Sequence, residues 1–289
     1  MKNLCKTLTA LLLVCLSITA CKKDMTTNTN EPGNDPGPGG NPSNDIVETK
    51  PPVQKGISIN VNANTGGYME ALPARYDSTT KKYPLLIFIH GVGELGNGTT
   101  QLEKADNVGT PAYIKQGKFP ANFVVNGKNY SFIVISPQFK AWPSPKDVND
   151  LIDHVIGKYR IDTSRMYVSG LSMGGGATWE YAVAYGKRVA AVAPLCGASG
   201  PNDSKAQKIV QAGLAVWAFH NKDDGTVTYK NSEGYVTKIN SFNPSIKARL
   251  TLWPTGGHDA WSKATNPTYK ENNMNVYEWM LQYSRPAGK

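Results

Sequence analysis

From about residue 54 onward the chain alternates between two hydrophobic rhythms. The first is a set of short runs apolar at nearly every position: Pro84–Ile89, Phe132–Ile135, Met166–Val168, Ala190–Ala193, Leu214–Phe219 and Arg249–Trp253. Such a run is what a strand covered on both faces looks like. The second rhythm is helical. Lys146–Tyr159 sets Val148, Leu151, Ile152, Val155 and Ile156 on one face, and Met173–Tyr185, Val227–Ile239 and Lys270–Tyr283 read as helices too. This alternation, sustained over about 230 residues, predicts an α/β domain: a mostly parallel central sheet with helices on both faces. Gly56–Val61 and Tyr68–Leu72 alternate apolar and polar positions more strictly and predict an antiparallel pair at the N-terminal edge. Gly93–Asn129 follows neither rhythm. It suggests two short helices, near Gln101–Glu103 and Pro111–Gln116, inside a long irregular insertion of the kind that serves as a lid or binding loop.

The first 53 residues follow different rules. Lys2 and Lys6 precede an apolar stretch, Leu8–Ile18, too short to cross a hydrocarbon core of about 30 Å as a helix. It ends in Ile18-Thr19-Ala20-Cys21, which resembles the lipobox of bacterial lipoproteins, where the Cys becomes the first mature residue and carries the lipid. Residues 1–21 are therefore expected to be a signal with Cys21 as the lipidation site, anchoring the protein in the cell envelope, at the outer membrane or periplasmic face. Residues 22–53 are rich in Asn, Thr, Gly, Pro and Asp and are expected to be a disordered tether, leaving 54–289 as the folded domain. Of four Cys residues only Cys196 falls in that domain, so no internal disulfide is expected there. Its apolar setting, Val192–Gly197, reads as a buried strand end.

Charge removes one class of function. The formal net charge is +9, yet no basic run exceeds two residues, so the cations read as solvated surface. Nucleic-acid binding wants a dense basic stripe with interleaved aromatics and is not expected.

Chemistry concentrates in Tyr167-Val168-Ser169-Gly170-Leu171-Ser172-Met173-Gly174-Gly175-Gly176. It holds G-x-S-x-G between an apolar strand and a helical pattern, the context in which a serine stands on a sharp turn as a nucleophile. Gly170 and Gly174 leave room for that turn, and the turn aims the Met173 N–H and the positive helix end at a developing oxyanion. Such a serine requires an acid and a histidine later in the chain, each just after a strand. His220-Asn221-Lys222-Asp223-Asp224 follows one apolar run, and Gly256-Gly257-His258-Asp259 follows the last. His258 is the expected base, and Asp223 and Asp224 compete for the acid. Asp259 reads as a cap of the His258 loop.

Ile89-His90-Gly91-Val92-Gly93-Glu94, Ile135-Ser136-Pro137-Gln138, Gly170–Gly175, the Asp224 segment and Gly257-His258-Asp259-Ala260-Trp261 together resemble the α/β-hydrolase esterases of the polyhydroxybutyrate-depolymerase-like and feruloyl- or acetylxylan-esterase-like group, often placed in carbohydrate esterase family one or called prolyl-oligopeptidase-related. The resemblance covers about residues 56–284. It implies an α/β-hydrolase fold and a serine carboxylic ester hydrolase acting through an acyl-enzyme. Related enzymes often carry His-Gly-x-x-Asp-x-x-Val-Pro at the acid, and counting from His220 this favours Asp224; Asn221 departs from the pattern. The resemblance also implies Val92 N–H as the second oxyanion donor beside Met173, with His90 organising that loop. Gln138, Trp142 and Trp261 are candidate substrate-binding residues, since aromatic faces stack on sugar or phenolic rings. Neither cofactor nor metal is expected; the expected partners are a small ester or acylated oligosaccharide and, through the lipid, a membrane, with the protein a monomer. A prolyl-oligopeptidase-like peptidase shares the triad but usually carries a propeller domain for which this chain has no room. A non-catalytic binding protein on the same scaffold is the remaining alternative.

Overall fold

The computed structural model describes residues 46–286; the expected signal, Cys21 and most of the tether lie outside them. Eight strands form one sheet: β1 (Val53–Ser58), β2 (Thr65–Leu72), β3 (Tyr83–Ile89), β6 (Ile133–Phe139), β7 (Ile161–Leu171), β8 (Ala191–Leu195), β9 (Ala215–Asn221) and β10 (Arg249–Trp253). Their spatial order is β1-β2-β6-β3-β7-β8-β9-β10. β1 and β2 are antiparallel to each other and β2 to β6, while every pairing from β6 to β10 is parallel. The expected edge pair and parallel centre are both present, and the fold is that of the α/β-hydrolases.

The continuous apolar runs are explained by two cores. Along β3, Tyr83, Leu85, Ile87 and Ile89 enter one core with Val148, Leu151, Ile152 and Val155 of α2 (Pro145–Lys158) and Trp179 of α3 (Met173–Tyr185). The intervening Leu86 and Phe88 enter the other, with Phe119, Tyr167, Trp217, Tyr277 and Trp279. A period of two, buried on both sides, leaves no polar position in the strand. The first core also takes Ile209 of α4 (Asp203–Gln211), a helix the periodicity did not disclose, and Tyr235 and Ile239 of α5 (Lys230–Ser241).

Several boundaries differ from expectation: β1 begins at Val53 and β7 at Ile161, each ahead of its expected run. The stretch Lys270–Tyr283 is helical only over α7 (Val276–Met280). Asn272 and Asn273 sit at φ +52° and +66°, a left-handed turn that Asn tolerates and a helix does not. Asn275 then caps α7, its side chain accepting from Glu278 N. The helix expected from Val227 begins at Lys230 instead; the Val227 carbonyl, which a helix would use, accepts from His220 Nε2 (2.9 Å). At the N-terminus, packing starts before Gln54: Glu48 is buried, accepts from Arg75 N (2.7 Å) and Tyr83 Oη (3.2 Å), and donates its own N–H to Asn122 (2.8 Å).

The irregular insertion has a definite form. A 3-10 turn over Leu102–Asp106 leads into α1 (Gly109–Lys115), followed by a hairpin of β4 (Phe123–Val125) and β5 (Lys128–Tyr130). Asn126 and Gly127, at φ +51° and +74°, make its two-residue turn. Phe119 and Phe123 pin the insertion to Tyr277, with ring centroids 5.0 and 5.2 Å apart. α6 (Trp261–Ala264) faces it from the loop that follows β10. No helix among the described residues is long and apolar enough to cross a membrane.

Candidate active site

Ser172 occupies the single residue between β7 and α3, at φ +53°, ψ −113°. A non-glycine residue in this region is strained by roughly 1–3 kcal/mol and persists only when its surroundings over-determine it. Three backbone hydrogen bonds do so: Ser172 N to Leu195 O (3.0 Å), Ala198 N to Ser172 O (3.0 Å) and Gly176 N to Ser172 O (2.9 Å). The turn also needs Gly174, where a Cβ would fall 2.2 Å from Ile89 O and 2.5 Å from His90 O. α3 thus rests its backbone directly on the end of β3.

The expected acid and base converge on this serine. His258 Nε2 lies 2.9 Å from Ser172 Oγ, and His258 Nδ1 lies 2.7 Å from Asp224 Oδ2. The Asp224 side chain is fully buried and His258 is about a fifth exposed, at 22%. Asp224 Oδ1 accepts from Thr226 N (2.8 Å) and Val227 N (2.9 Å). Burial of this carboxyl pushes its pKa up. The hydrogen bonds from His258, Val227 and Thr226 outweigh burial and hold it below the ordinary carboxylate value. It is therefore ionised at neutral pH, which places the imidazole proton on Nδ1 and leaves Nε2 free to accept from Ser172.

Asp223 has a separate task. Its carboxylate accepts from Gly256 N (3.2 Å) and Gly257 N (2.9 Å), and Asn221 Nδ2 donates to Gly257 O (3.0 Å). These groups hold the loop that carries His258, so the departure at Asn221 supplies a donor where glycine has none. Asp259, just before α6, accepts from Ser262 N (2.9 Å) and Ser262 Oγ (2.7 Å) and so ties the histidine loop to that helix.

A second imidazole, used in the sequence only as a counting anchor, touches the acid from behind. His220 is completely buried, with Nε2 3.1 Å from Asp224 Oδ2 and 2.9 Å from Val227 O, and Nδ1 2.9 Å from Ser232 Oγ. Nε2 faces two acceptors and so carries the proton; Nδ1 accepts from Ser232. Burial lowers the His220 pKa, which keeps the ring neutral. Asp224 Oδ2 is thereby held between two imidazoles.

The two expected oxyanion donors stand at suitable places. Met173 is the first residue of α3, and Val92 opens the 3-10 turn Val92–Glu94; a first-turn N–H has no intrahelical acceptor. The Val92 loop is beside the nucleophile, since a Cβ on Gly91 would lie 3.7 Å from Ser172 Cβ. Glu94 accepts from Gly91 N (3.0 Å), and His90 braces the other side. Phe139 N donates to His90 Nε2 (3.1 Å), so His90 Nδ1 donates to Gly91 O (2.6 Å).

His90 also makes stability depend on pH. Burial lowers its pKa from 6.5 to about 4, against a smaller opposing effect of its bond to Gly91. Between these values the unfolded chain binds a proton that the folded one refuses, so stability is full above pH 6.5 and is lost as pH falls toward 4. Urea unfolding at pH 7 and pH 5 is expected to differ by about 2 kcal/mol from this group alone. Equal midpoints would show that His90 accepts its charge in place.

The remaining site residues divide. The Trp261 ring meets His258 edge-on, with centroids 5.4 Å apart at 85°. Trp142 is half exposed on the β6–α2 loop, and no ring or hydrogen-bond contact joins it to the triad among the described residues. Gln138, expected on the pocket wall, is fully buried and structural. It accepts from Gly98 N (2.9 Å) and donates to Glu94 O (3.0 Å) and Gln101 O (2.6 Å), stitching the start of the insertion to β6. Cys196 is buried, as its apolar setting suggests, and burial pushes its thiol up to about 12. Its sulfur lies within 4.8 Å of ligand atoms of Asp224 and His258, which already face each other across the triad hydrogen bond.

Residues 76–270 match the family described as Phospholipase/Carboxylesterase. A bifunctional acetylxylan esterase/xylanase from Neocallimastix patriciarum is 29% identical over 133 residues, which is 46% of this chain and 17% of that protein. Among solved structures, a thermostable esterase superposes with a TM-score of 0.58 at 26% identity, over 81% of this chain and 63% of that one. A feruloyl esterase module from Clostridium thermocellum complexed with sinapinate gives 0.54 at 20% identity, over 75% and 85%, a likeness of fold. The chain thus spans about a sixth of the curated relative it matches and under two thirds of the first of these structures. With the family match covering most of the domain, the chain belongs to the phospholipase/carboxylesterase family of α/β-hydrolases.

Proposed function

We propose that the protein is a serine carboxylic ester hydrolase that removes acyl groups, acetyl or feruloyl, from plant polysaccharide fragments. The observation that carries the catalytic part is the unbroken chain Ser172–His258–Asp224, with contacts of 2.9 and 2.7 Å. Ser172 Oγ attacks the ester carbonyl while His258 Nε2 takes its proton. The tetrahedral oxyanion points at the N–H groups of Met173 and Val92. Collapse breaks the bond to the leaving oxygen, which receives the proton from His258. Water then attacks the acyl-enzyme, His258 again acting as base, and the acid is released. The acetyl reading draws support from the acetylxylan esterase named among the relatives, and the feruloyl reading from the motif resemblance. A lipid on Cys21 would hold the domain at the cell envelope, where imported polysaccharide fragments arrive.

Rates on acetylated xylan, methyl ferulate, short p-nitrophenyl esters and a peptide amide, each compared with Ser172→Ala, test this reading. Ester hydrolysis far faster than amide hydrolysis is the expected result. A peptide amide that outran every ester would replace it with a peptidase. Folded protein that takes no fluorophosphonate label on Ser172 would leave only a binding role.

A further inference from the structure

The insertion and the histidine loop enclose a space that the triad does not use. An open cleft of about 630 Å³ runs between α1 and α6, a volume within the range of ligand sites. Trp261 belongs to both places: it lines the cleft, and its ring stands edge-on to His258 at 5.4 Å. The cleft therefore begins one side chain away from the imidazole that must protonate the departing oxygen. In a Ser–His mechanism the leaving alcohol exits on the histidine side, because that nitrogen delivers its proton.

We propose that this cleft is the leaving-group subsite and that it takes a polyhydroxylated partner, the sugar residues to which the acyl group is attached. The inference rests on the esterase reading above and extends it to the alcohol half of the substrate. The cleft's chemistry selects sugar over a hydrocarbon or aryl group. Trp261 and Tyr113 offer aromatic surface for C–H faces of a pyranose. Gln116, Lys118 and Asn266 offer polar groups for hydroxyls. The side chains of Gln116 and Lys118 are exposed and have no hydrogen-bond or ion-pair partner among the described residues. An apolar acyl chain calls for an enclosed, apolar pocket, which this open and largely polar space is not.

The walls are also tied together in advance. Tyr113 Oη donates to Ser262 O at 2.7 Å, joining α1 to α6, and Asp259 of the histidine loop accepts from Ser262 N. Gly109 rests on Phe88 so closely that a Cβ there would fall 2.1 Å from the ring, which seats the start of α1 on β3. Such a preformed cleft binds without first paying to order its walls.

Two substrates sharing an acetyl group and differing in the alcohol, acetylated xylotriose and p-nitrophenyl acetate, separate this subsite from the triad. The double variant Gln116→Ala/Lys118→Ala, both positions at the surface, is expected to lose at least tenfold more kcat/KM on the sugar ester than on p-nitrophenyl acetate. Equal losses on both, or none on either, would overturn the proposal. Binding is read independently with unacetylated xylan- and β-glucan-derived oligosaccharides on Ser172→Ala, following tryptophan fluorescence. Binding that weakens tenfold in the added Gln116→Ala/Lys118→Ala background supports the subsite even if the native acyl group is not acetyl. No binding at millimolar sugar, or binding indifferent to these substitutions, overturns it. Failure of the esterase reading shows separately, as absence of fluorophosphonate labelling on Ser172.

Discussion

Replacing Ser172 by alanine is expected to lower kcat on p-nitrophenyl acetate by about 10⁶-fold while leaving the fold intact. The substitution deletes one hydroxyl whose hydrogen bond to His258 Nε2 spans 2.9 Å and lies at the mouth of the site, where water can replace it. The φ of +53° costs alanine about what it costs serine, and the three backbone bonds that impose it remain. Thermal unfolding is therefore expected to shift by less than about 0.5 kcal/mol, as for substitutions that leave packing alone. Only the group that forms the covalent bond is gone. Cys196 is no substitute nucleophile: it is buried, and its thiol is pushed up to about 12, so almost no thiolate is present at neutral pH. Mass spectrometry after fluorophosphonate treatment completes the measurement. A variant that kept a few per cent of activity, or took the label elsewhere, would remove Ser172 from the mechanism.

Asp224→Asn is expected to lower kcat by roughly 10³–10⁴-fold with little change in KM. The buried carboxylate accepts four hydrogen bonds, two from backbone N–H groups and one from each of His258 and His220. An amide has one oxygen to offer. If that oxygen faces Thr226 and Val227, the NH₂ confronts the two imidazoles, and His258 can be satisfied only by moving its proton to Nε2. In that tautomer it donates toward Ser172 instead of accepting, and general-base action stops. If the amide turns the other way, two backbone donors lose their acceptor at a cost of about 1–3 kcal/mol each. Asp223→Asn is the comparison that decides between the adjacent acids. Asp223 is exposed and holds only the Gly256 and Gly257 N–H groups, so its loss is expected to be at least a hundredfold smaller. The reverse ranking would exchange their roles. Asp224 also bears on behaviour in acid. The stabilisation that Asp224 draws from its charge is present above the ordinary carboxylate pKa and is lost only below about pH 4, under the range in which His90 acts.

His220 shows what motif reading leaves out. In the sequence it marks the start of a counting pattern. In the structure it shares Asp224 Oδ2 with His258, and it stays neutral because it is buried. The carboxylate is thus oriented from both sides, a contact that the spacing of His220 and Asp224 allows but does not reveal.

The hairpin at Asn126-Gly127 was legible, since that dipeptide is a strong turn signal, but it was hidden inside an insertion with no periodicity around it. The broken helix at Asn272-Asn273 is legible in the same way, because adjacent Asn residues favour a left-handed turn over the helix that the apolar spacing suggests. Gln138 was not. Its neighbours Gly98 and Gln101 lie some 40 residues away in sequence, and nothing local distinguishes a glutamine that binds ligand from one that stitches a loop.

The sheet, the order of serine, acid and histidine, and the turn on which Ser172 stands can all be read from the chain alone. Each of these is written in local pattern: strands buried on both faces lose their polar positions, and a strained turn admits only tiny neighbours. Tertiary structure decided which of Asp223 and Asp224 meets His258, that His220 backs the acid, and that α1 and α6 enclose a cleft beside Trp261. Those outcomes depend on the direction of loop side chains and on segments far apart in the chain. Such directions are set by the packing of the whole domain, and no periodicity carries them.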